Sequence, residues 1–335
     1  MDALGLGPTG GIDDPRSAAG AAPGGCVGPG FRHDALIYDS VEDLVDVAAP
    51  FLLEGLAGGD GAVIAAGSDA TAALHDAVGN NPLVLVLERH ALYRARTPTA
   101  ITTFRGLSEQ ARPGRRVRVV GEVDFGTTAA DWTEWQRYEA VINAAFAPAP
   151  LWGLCVFGAG LPEPLLATAR HTHPHLVSRT GRLANADYVD PAAYLAHLPV
   201  PDEPLERATP ALAVDDVTDF IALRRTIRGY LRTVPGPAYL LEDFQLAVDE
   251  MTSNAMRHGS RPVSLRLWSA PGQLVCTIGD AGAGPVDPFA GYGPAHGEDL
   301  SAGGMGLWLA RQLCDHVTLR RDPHGNSVRL TSHWA

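Results

Sequence analysis

Five short apolar runs, separated by stretches of helical spacing, dominate the first half of the chain: Phe31 to Tyr38, Gly61 to Ala66, Leu83 to Leu87, Val117 to Glu122 and Leu151 to Gly158. A run that is apolar at nearly every position has no solvent face, so as a strand it must be covered on both sides. The stretches between supply that cover. Val41 to Ala57 carries Leu44, Val47, Ala48, Phe51 and Leu52 at helical spacing, with Ser40 as N-cap and Gly58-Gly59 as stop. Asp69 to Val78, Thr99 to Ala111 and Trp132 to Ala145 read as further helices. Strands alternating with helices predict an α/β domain, doubly wound on a mostly parallel sheet. None of these strands runs into GxxxxGK[ST] or GxGxxG, so no motif places a nucleotide in this half.

A chain of 335 residues has room for a second domain. Residues 1–30, rich in Gly, Ala and Pro without a basic start and apolar core, are expected to be a disordered tail and not a signal peptide. The first domain is expected over 31–198. Pro199 to Pro210 holds four prolines and three acidic residues, which is linker composition. The second domain is expected over 211–335. A formal net charge of −12 argues against a nucleic-acid partner. No apolar run reaches the roughly 18 residues of a membrane span. The four cysteines, Cys26, Cys155, Cys276 and Cys314, form no CxxC, and three lie in apolar runs. They predict buried thiols in a reducing cytoplasm, against a disulfide framework or zinc site. His171-Thr172-His173-Pro174-His175 reads as an exposed or capping loop, because a Pro-containing loop does not by itself make ligands converge. His33 reads as a satisfied structural histidine.

Three pieces of the second half carry chemistry. The helix from Tyr239 to His258, at about 100° per residue, puts Leu240, Phe244, Ala247, Val248, Met251 and Ala255 in one stripe. Asn254 falls at the edge of that stripe with Glu250 one turn before it. A carboxylate there suits a general base, and a neutral amide oxygen suits Mg²⁺. Val263 to Trp268 and Leu274 to Gly279 form a hairpin that runs into Asp280-Ala281-Gly282-Ala283-Gly284. An Asp at a strand end can accept from an exocyclic amine such as that of adenine, and the glycines let backbone approach a flat ring. After a lid-like stretch from Val286 to Ala302, Gly303-Gly304-Met305-Gly306-Leu307 opens a helix whose free N–H groups suit a triphosphate. Each piece alone has a plain structural reading: an amphipathic helix with two polar edge residues, a flexible glycine loop, a glycine-rich N-cap.

In this order the pieces resemble the GHKL ATPase superfamily, which includes gyrase-type topoisomerases, histidine kinases and mismatch-repair ATPases. The stretch AVDEMTSNAMRHG and the short lid are most similar to bacterial anti-sigma-factor serine kinases. The resemblance covers roughly 210–335 and implies a Bergerat-type α/β sandwich that binds ATP and Mg²⁺. It implies Glu250 as catalytic base, Asn254 as Mg²⁺ ligand and Asp280 as acceptor of the adenine amine. Gly282 and Gly284 would line adenine, and Gly304, Met305, Gly306 and Leu307 would hold phosphates. The implied partners are a sigma factor and an anti-sigma antagonist of the STAS type, with a homodimer as a further expectation. No dimerisation helix with a phospho-acceptor His precedes the pocket, unlike a conventional histidine kinase. A non-catalytic partner-binding module, with ATP only fixing a conformation or the pocket vestigial, stays open beside the kinase. Gyrase-type hydrolysis is disfavoured because no transducer segment follows before Ala335.

In the first half, His33 to Tyr38, FLLEGLAGGDGAVIAA and HPHLVSRTG…NADYVDP resemble a MEDS sensory domain. That resemblance implies a small hydrocarbon-type ligand. Where family members show His-x-Cys, Asp34-Ala35 follows His33 here, so cysteine-based sensing is not expected at that place.

Overall fold

The computed structural model describes residues 30–335 apart from 95, 283–286, 294–304, 324 and 335. The alternation in the first half resolves as β1 (Arg32–Tyr38), α1 (Val41–Gly58), β2 (Gly61–Ala65), α2 (Ser68–Ala77), β3 (Val84–Val86), α3 (Arg89–Arg94), α4 (Thr97–Glu109), β4 (Val117–Gly121), α5 (Ala129–Ala145), β5 (Leu151–Gly158), α6 (Glu163–Thr172), β6 (His175–Ser178), β7 (Gly181–Ala184) and α7 (Pro191–His197). Local chemistry sets the boundaries. Ser40 accepts from the Asp43 N–H to start α1, and Gly59 in the left-handed region (φ 83°) stops it. Thr128 and Asp131 form a capping box that starts α5.

The strands lie in the order β3-β2-β4-β5-β1-β6-β7, parallel except for the β6–β7 hairpin. Helices cover both faces, which is the doubly wound sheet expected. Leu36, Leu44, Leu52, Ile64 and Leu154 fill one layer, and Ile101, Phe104, Tyr138, Phe157 and Leu165 the other. A buried carboxylate closes the edge: Asp34 on β1 accepts from Arg182 Nε on β7 at 2.7 Å and from Trp152 Nε1 on β5 at 2.8 Å.

One strand departs from expectation. Leu83 to Leu87 reads as buried on both faces, yet only Val84–Val86 pair, and Leu83, Leu85 and Val86 are exposed. The cause is position, since β3 is the outermost strand and its apolar pattern says nothing of order in the sheet. Helices α3, α6 and α7 and the β6–β7 hairpin add to the elements expected from periodicity. The hairpin is largely exposed, so it has no apolar rhythm to read.

The second half builds β8 (Leu212–Val214), α8 (Phe220–Leu231), α9 (Ala238–His258), β9 (Ser264–Ala270), β10 (Gln273–Asp280), α10 (Gly306–Leu313), β11 (His316–Asp322) and β12 (Gly325–His333). Its sheet is antiparallel throughout, in the order β11-β12-β10-β9-β8. Phe244, Val248 and Met251 of α9, Ile227 of α8 and Ala310 of α10 pack on Leu265, Cys276, Ile278 and Leu330, giving an α/β sandwich. The proline-rich stretch before β8 does not hang free. It contains a 3-10 turn, Pro204–Arg207, and lies on the sheet's outer face. There Glu206 accepts from Thr277 Oγ1 at 2.6 Å and pairs with Arg320 at 2.9 Å and Arg329 at 3.0 Å, while Trp268 Nε1 donates to the Ala208 carbonyl at 2.9 Å. Among the described residues, no helix is long and apolar enough to cross a membrane.

Because Phe244 is fully buried between α9 and the sheet, Phe244→Ala is expected to lower stability by about 3–5 kcal/mol in chemical denaturation. Leu85→Ala, on the exposed edge strand, should cost no more than about 0.5 kcal/mol.

Candidate functional site

Helix α9 presents its polar edge where α10 begins. Glu250 and Asn254 are half-buried and one turn apart, as the periodicity requires. Gly306 rests directly on Asn254: a Cβ at Gly306 would lie 2.4 Å from Asn254 Nδ2 and 3.2 Å from Oδ1. A Cβ there would have to push the Asn254 amide aside, and its absence lets the first turn of α10 lie against α9. No side chain among the described residues caps that turn. Its N–H groups are of the kind that a helix terminus offers to an anion, and they lie beside a neutral amide. The two adjacent carboxylates of α9 differ. Asp249 is buried and paired with Arg224 Nε at 2.7 Å, and burial pushes its carboxyl up. Glu250 makes no ion pair among the described residues.

The far end of the same helix meets β10. Gly259 follows α9, and a Cβ there would lie 2.5 Å from Asp280 Cγ. Asp280 Oδ1 accepts from the Gly282 N–H at 2.7 Å and the Ser260 N–H at 3.2 Å. Gly282 thus spends its N–H on fixing the carboxylate, a role the sequence did not suggest. Asn326 Nδ2 donates to the Gly282 carbonyl. Asp280 Oδ2, with no donor among the described residues, is left to accept from a ligand. Glu250, Asn254, Asp280, Gly282, Met305, Gly306 and Leu307 therefore gather around one helix. Gly284, Gly304 and residues 294–302 of the expected lid lie outside the described residues. The set fits a purine nucleotide with its cation: a fixed carboxylate for an exocyclic amine, an amide oxygen for a hard ion, free amides for phosphate oxygens.

The first half grips the other end of α10, and no spacing in the sequence signals it. Arg96, just ahead of α4, donates from Nε to the Cys314 carbonyl at 2.6 Å and from Nη2 to Asp315 at 3.1 Å. A cation is placed at the helix C-terminus, where the dipole favours it. Thr99 Oγ1 donates to Gln312 Oε1 at 2.9 Å. On α5, Glu134 faces Arg311 at 3.4 Å and accepts from Thr97 Oγ1 at 2.9 Å. Arg311 stacks 4.3 Å over the ring of Tyr292, which belongs to the expected lid and is buried against the first half's core. Asp131 reaches His316 Nε2 at 2.9 Å. Burial pushes the Asp131 carboxyl up, but hydrogen bonds from His316 and Thr128 outweigh it and hold it well below the usual range.

Two histidine readings change. His173 is fully buried at the end of α6, so His171 to His175 is not an exposed loop; it crosses from helix to strand through the core. His33 is buried and held by Asn143, as a structural histidine would be, but it also faces Cys155, Glu139 and His173. A separate cleft of ≈ 360 Å³ opens beside β4 and β5, lined by Arg89, Glu122, Asp124, Phe125, Trp132 and Leu161. Within it Glu122 pairs with Arg89 at 3.0 Å and accepts from Tyr38 Oη at 3.0 Å and the Gly67 N–H at 2.7 Å.

Comparison with known proteins agrees with both halves. Residues 214–332 match the family described as histidine kinase-like ATPase domain, and residues 32–174 match the family described as the methanogen/methylotroph, DcmR sensory domain, MEDS. The chain thus joins a MEDS domain to a GHKL-like ATPase domain. No curated protein matches it. Among solved structures it is similar to the RsbU and RsbW domains of Rv1364c from Mycobacterium tuberculosis, at 18% identity and a TM-score of 0.28. That match covers 37% of this chain and only 32% of the other, and carries no argument about function.

The edge of the second sheet gives a pH dependence. The Asp315 carboxylate, 3.8 Å from the ring Nδ1, raises His333 above its ordinary value. A raised pKa means stability that is complete below the unfolded value, about 6.5, and is lost as pH rises through the folded value. Melting of wild type and His333→Gln should therefore differ most near pH 6, in favour of wild type, and converge in mildly alkaline buffer.

Proposed function

We propose that the chain is a cytoplasmic, ATP-dependent protein serine/threonine kinase of the anti-sigma type, controlled by its MEDS domain. The contact of Gly306 with Asn254, one turn from Glu250, carries this reading. On this reading a base, a metal ligand and an anion site would lie within about one turn of helix. Asp280 would accept the adenine amine, with Gly282 and Gly284 against the ring. The amides around Gly304, Met305, Gly306 and Leu307 would hold the phosphate oxygens. Asn254 would hold Mg²⁺, which neutralises phosphate charge when bound. Phosphoryl transfer depends mainly on positioning and charge neutralisation. Glu250, which makes no ion pair among the described residues, would take the proton of the acceptor hydroxyl.

The acceptor would be a serine or threonine of a STAS-type antagonist, and a sigma factor would be the protein held and released. The resemblance of AVDEMTSNAMRHG supports these partners, and the histidine kinase-like ATPase family match supports the ATPase domain that would act on them. The cleft beside Arg89 and Glu122 would take the small ligand of the MEDS domain. Trp132 of α5 lines that cleft, and Glu134 on the same helix reaches Arg311 of α10. A ligand that shifts α5 would therefore bear on the nucleotide site.

Glu250→Gln separates a kinase from a binding module. Phosphate transfer from ATP to the antagonist should fall by at least about 100-fold, as expected for loss of a general base, with ATP affinity nearly unchanged. Transfer at the wild-type rate would refute Glu250 as the base. Asn254→Ala should instead lose the Mg²⁺ dependence of ATP binding, seen by titration with and without the cation.

A further inference from the structure

Four side chains that the nucleotide site does not use converge inside the first half. His33 comes from β1, Glu139 from α5, Cys155 from β5 and His173 from the residue after α6. One donor atom from each lies within 4.8 Å of all the others. His33 Nε2 is 3.3 Å from Cys155 Sγ and 3.3 Å from Glu139 Oε2, and His173 Nε2 is 3.4 Å from the same oxygen. Bonds of about 2.0–2.3 Å around a tetrahedral ion separate its donors by about 3.3–3.8 Å. The spacing is that of a metal's ligands already in place.

The tautomers point the same way. Asn143 Nδ2 donates to the Glu139 and Thr172 carbonyls, which turns its Oδ1 toward His33 Nδ1 at 3.1 Å. His173 Nδ1 lies 3.0 Å from the Ala169 carbonyl. An amide oxygen and a carbonyl can only accept, so both Nδ1 atoms carry hydrogen. In neutral rings both Nε2 atoms then present lone pairs to a carboxylate. Neither Glu139 oxygen has a hydrogen-bond donor, nor has His173 Nε2, and Glu139 and His173 are wholly buried. Lone pairs facing lone pairs in a dry core are stable only with a positive centre among them, a proton on one Nε2 or a metal ion, and four donors converging within 4.8 Å favour the ion. Metal-bound histidines are held by their other nitrogen in just this way.

We propose that His33 Nε2, Glu139, Cys155 Sγ and His173 Nε2 hold one divalent cation of the zinc class in the core of the MEDS domain. A thiolate with two imidazoles selects a borderline metal over Mg²⁺ or Ca²⁺. With Cys155 giving its proton to solvent on binding, thiolate and carboxylate neutralise the dication, and the buried site has no net charge. The ligands come from four separate elements, so no CxxC or HxxxH spacing betrays them. His171 and His175, although in the same short run, lie outside the set.

The full chain, expressed with zinc in the medium and freed of loose metal, should contain one zinc per chain by elemental analysis. Reloaded with Co²⁺ under reducing conditions, it should show tetrahedral d–d bands and a thiolate-to-cobalt charge-transfer band. Cys155→Ser should remove the charge-transfer band and weaken Co²⁺ binding by more than about tenfold. Asn143→Ala, which frees the ring of His33 without touching a ligand, should weaken it about 10–100-fold. His171→Ala should bind as wild type does. A chain that folds yet retains neither zinc nor cobalt would overturn the proposal, as would a Cys155→Ser variant with an unchanged cobalt spectrum. If Cys155→Ser does not fold, the wild-type cobalt spectrum decides alone, since a bound ion without a thiolate band contradicts the ligand set.

Discussion

The closeness of Gly306 to Asn254 is the constraint on which the rest of the second half depends. Helix α10 starts so close to α9 that a Cβ on residue 306 would have to displace the Asn254 amide. No side chain among the described residues caps the first turn that this approach sets beside α9. Gly259 repeats the device at the other end of the cleft, where the missing Cβ makes room for the Asp280 carboxylate. The antiparallel sheet supplies the fixed reference, since Asp280 sits at the end of a strand locked between β9 and β12. Two close approaches on one helix thus set the distance between Asp280 and the start of α10, the two ends of the proposed site.

Helix α10 is held from both directions. Its start belongs to the proposed nucleotide site, and its end belongs to the first half through Arg96, Thr99 and Glu134. The contacts at the end are charged and partly buried, and such pairs are sensitive to small displacements. Helix α5 is the common element. Its first turns carry Asp131 and Glu134 against the second half, Trp132 lines the cleft, and Glu139 reaches the buried histidines. A change in what α5 touches in the first core would therefore be felt at α10 without any large motion.

Much of this was legible in the sequence. Apolar runs alternating with helical stretches led to the parallel sheet, because burial on both faces leaves a direct imprint on composition. The ordered E-x-x-x-N, D-x-G-x-G and G-x-G-L pieces pointed to the proposed site, and two of their glycines, Gly282 and Gly306, stand where a Cβ would meet Asp280 and Asn254. What stayed hidden has physical reasons. Leu83 to Leu87 reads as a central strand, yet it lies at the sheet's edge, since periodicity reports burial potential and not strand order. The proline-rich stretch reads as linker composition, and Glu206 anchors it to the second sheet, a contact that composition cannot foretell because Arg320 and Arg329 come from distant strands. Arg96 with Asp315, and His33 with His173, are pairs far apart in sequence that only the fold brings together.

The central claim is that α10 meets Asn254 in an ATP site that tolerates no side chain at residue 306. Calorimetric titration of the full chain with ATP and Mg²⁺, compared between wild type and Gly306→Val, tests it most directly. Saturable binding by wild type, lost in a Gly306→Val chain that still folds, is the predicted result. Equal affinity in the two chains, or no binding by wild type at millimolar ATP, would contradict it.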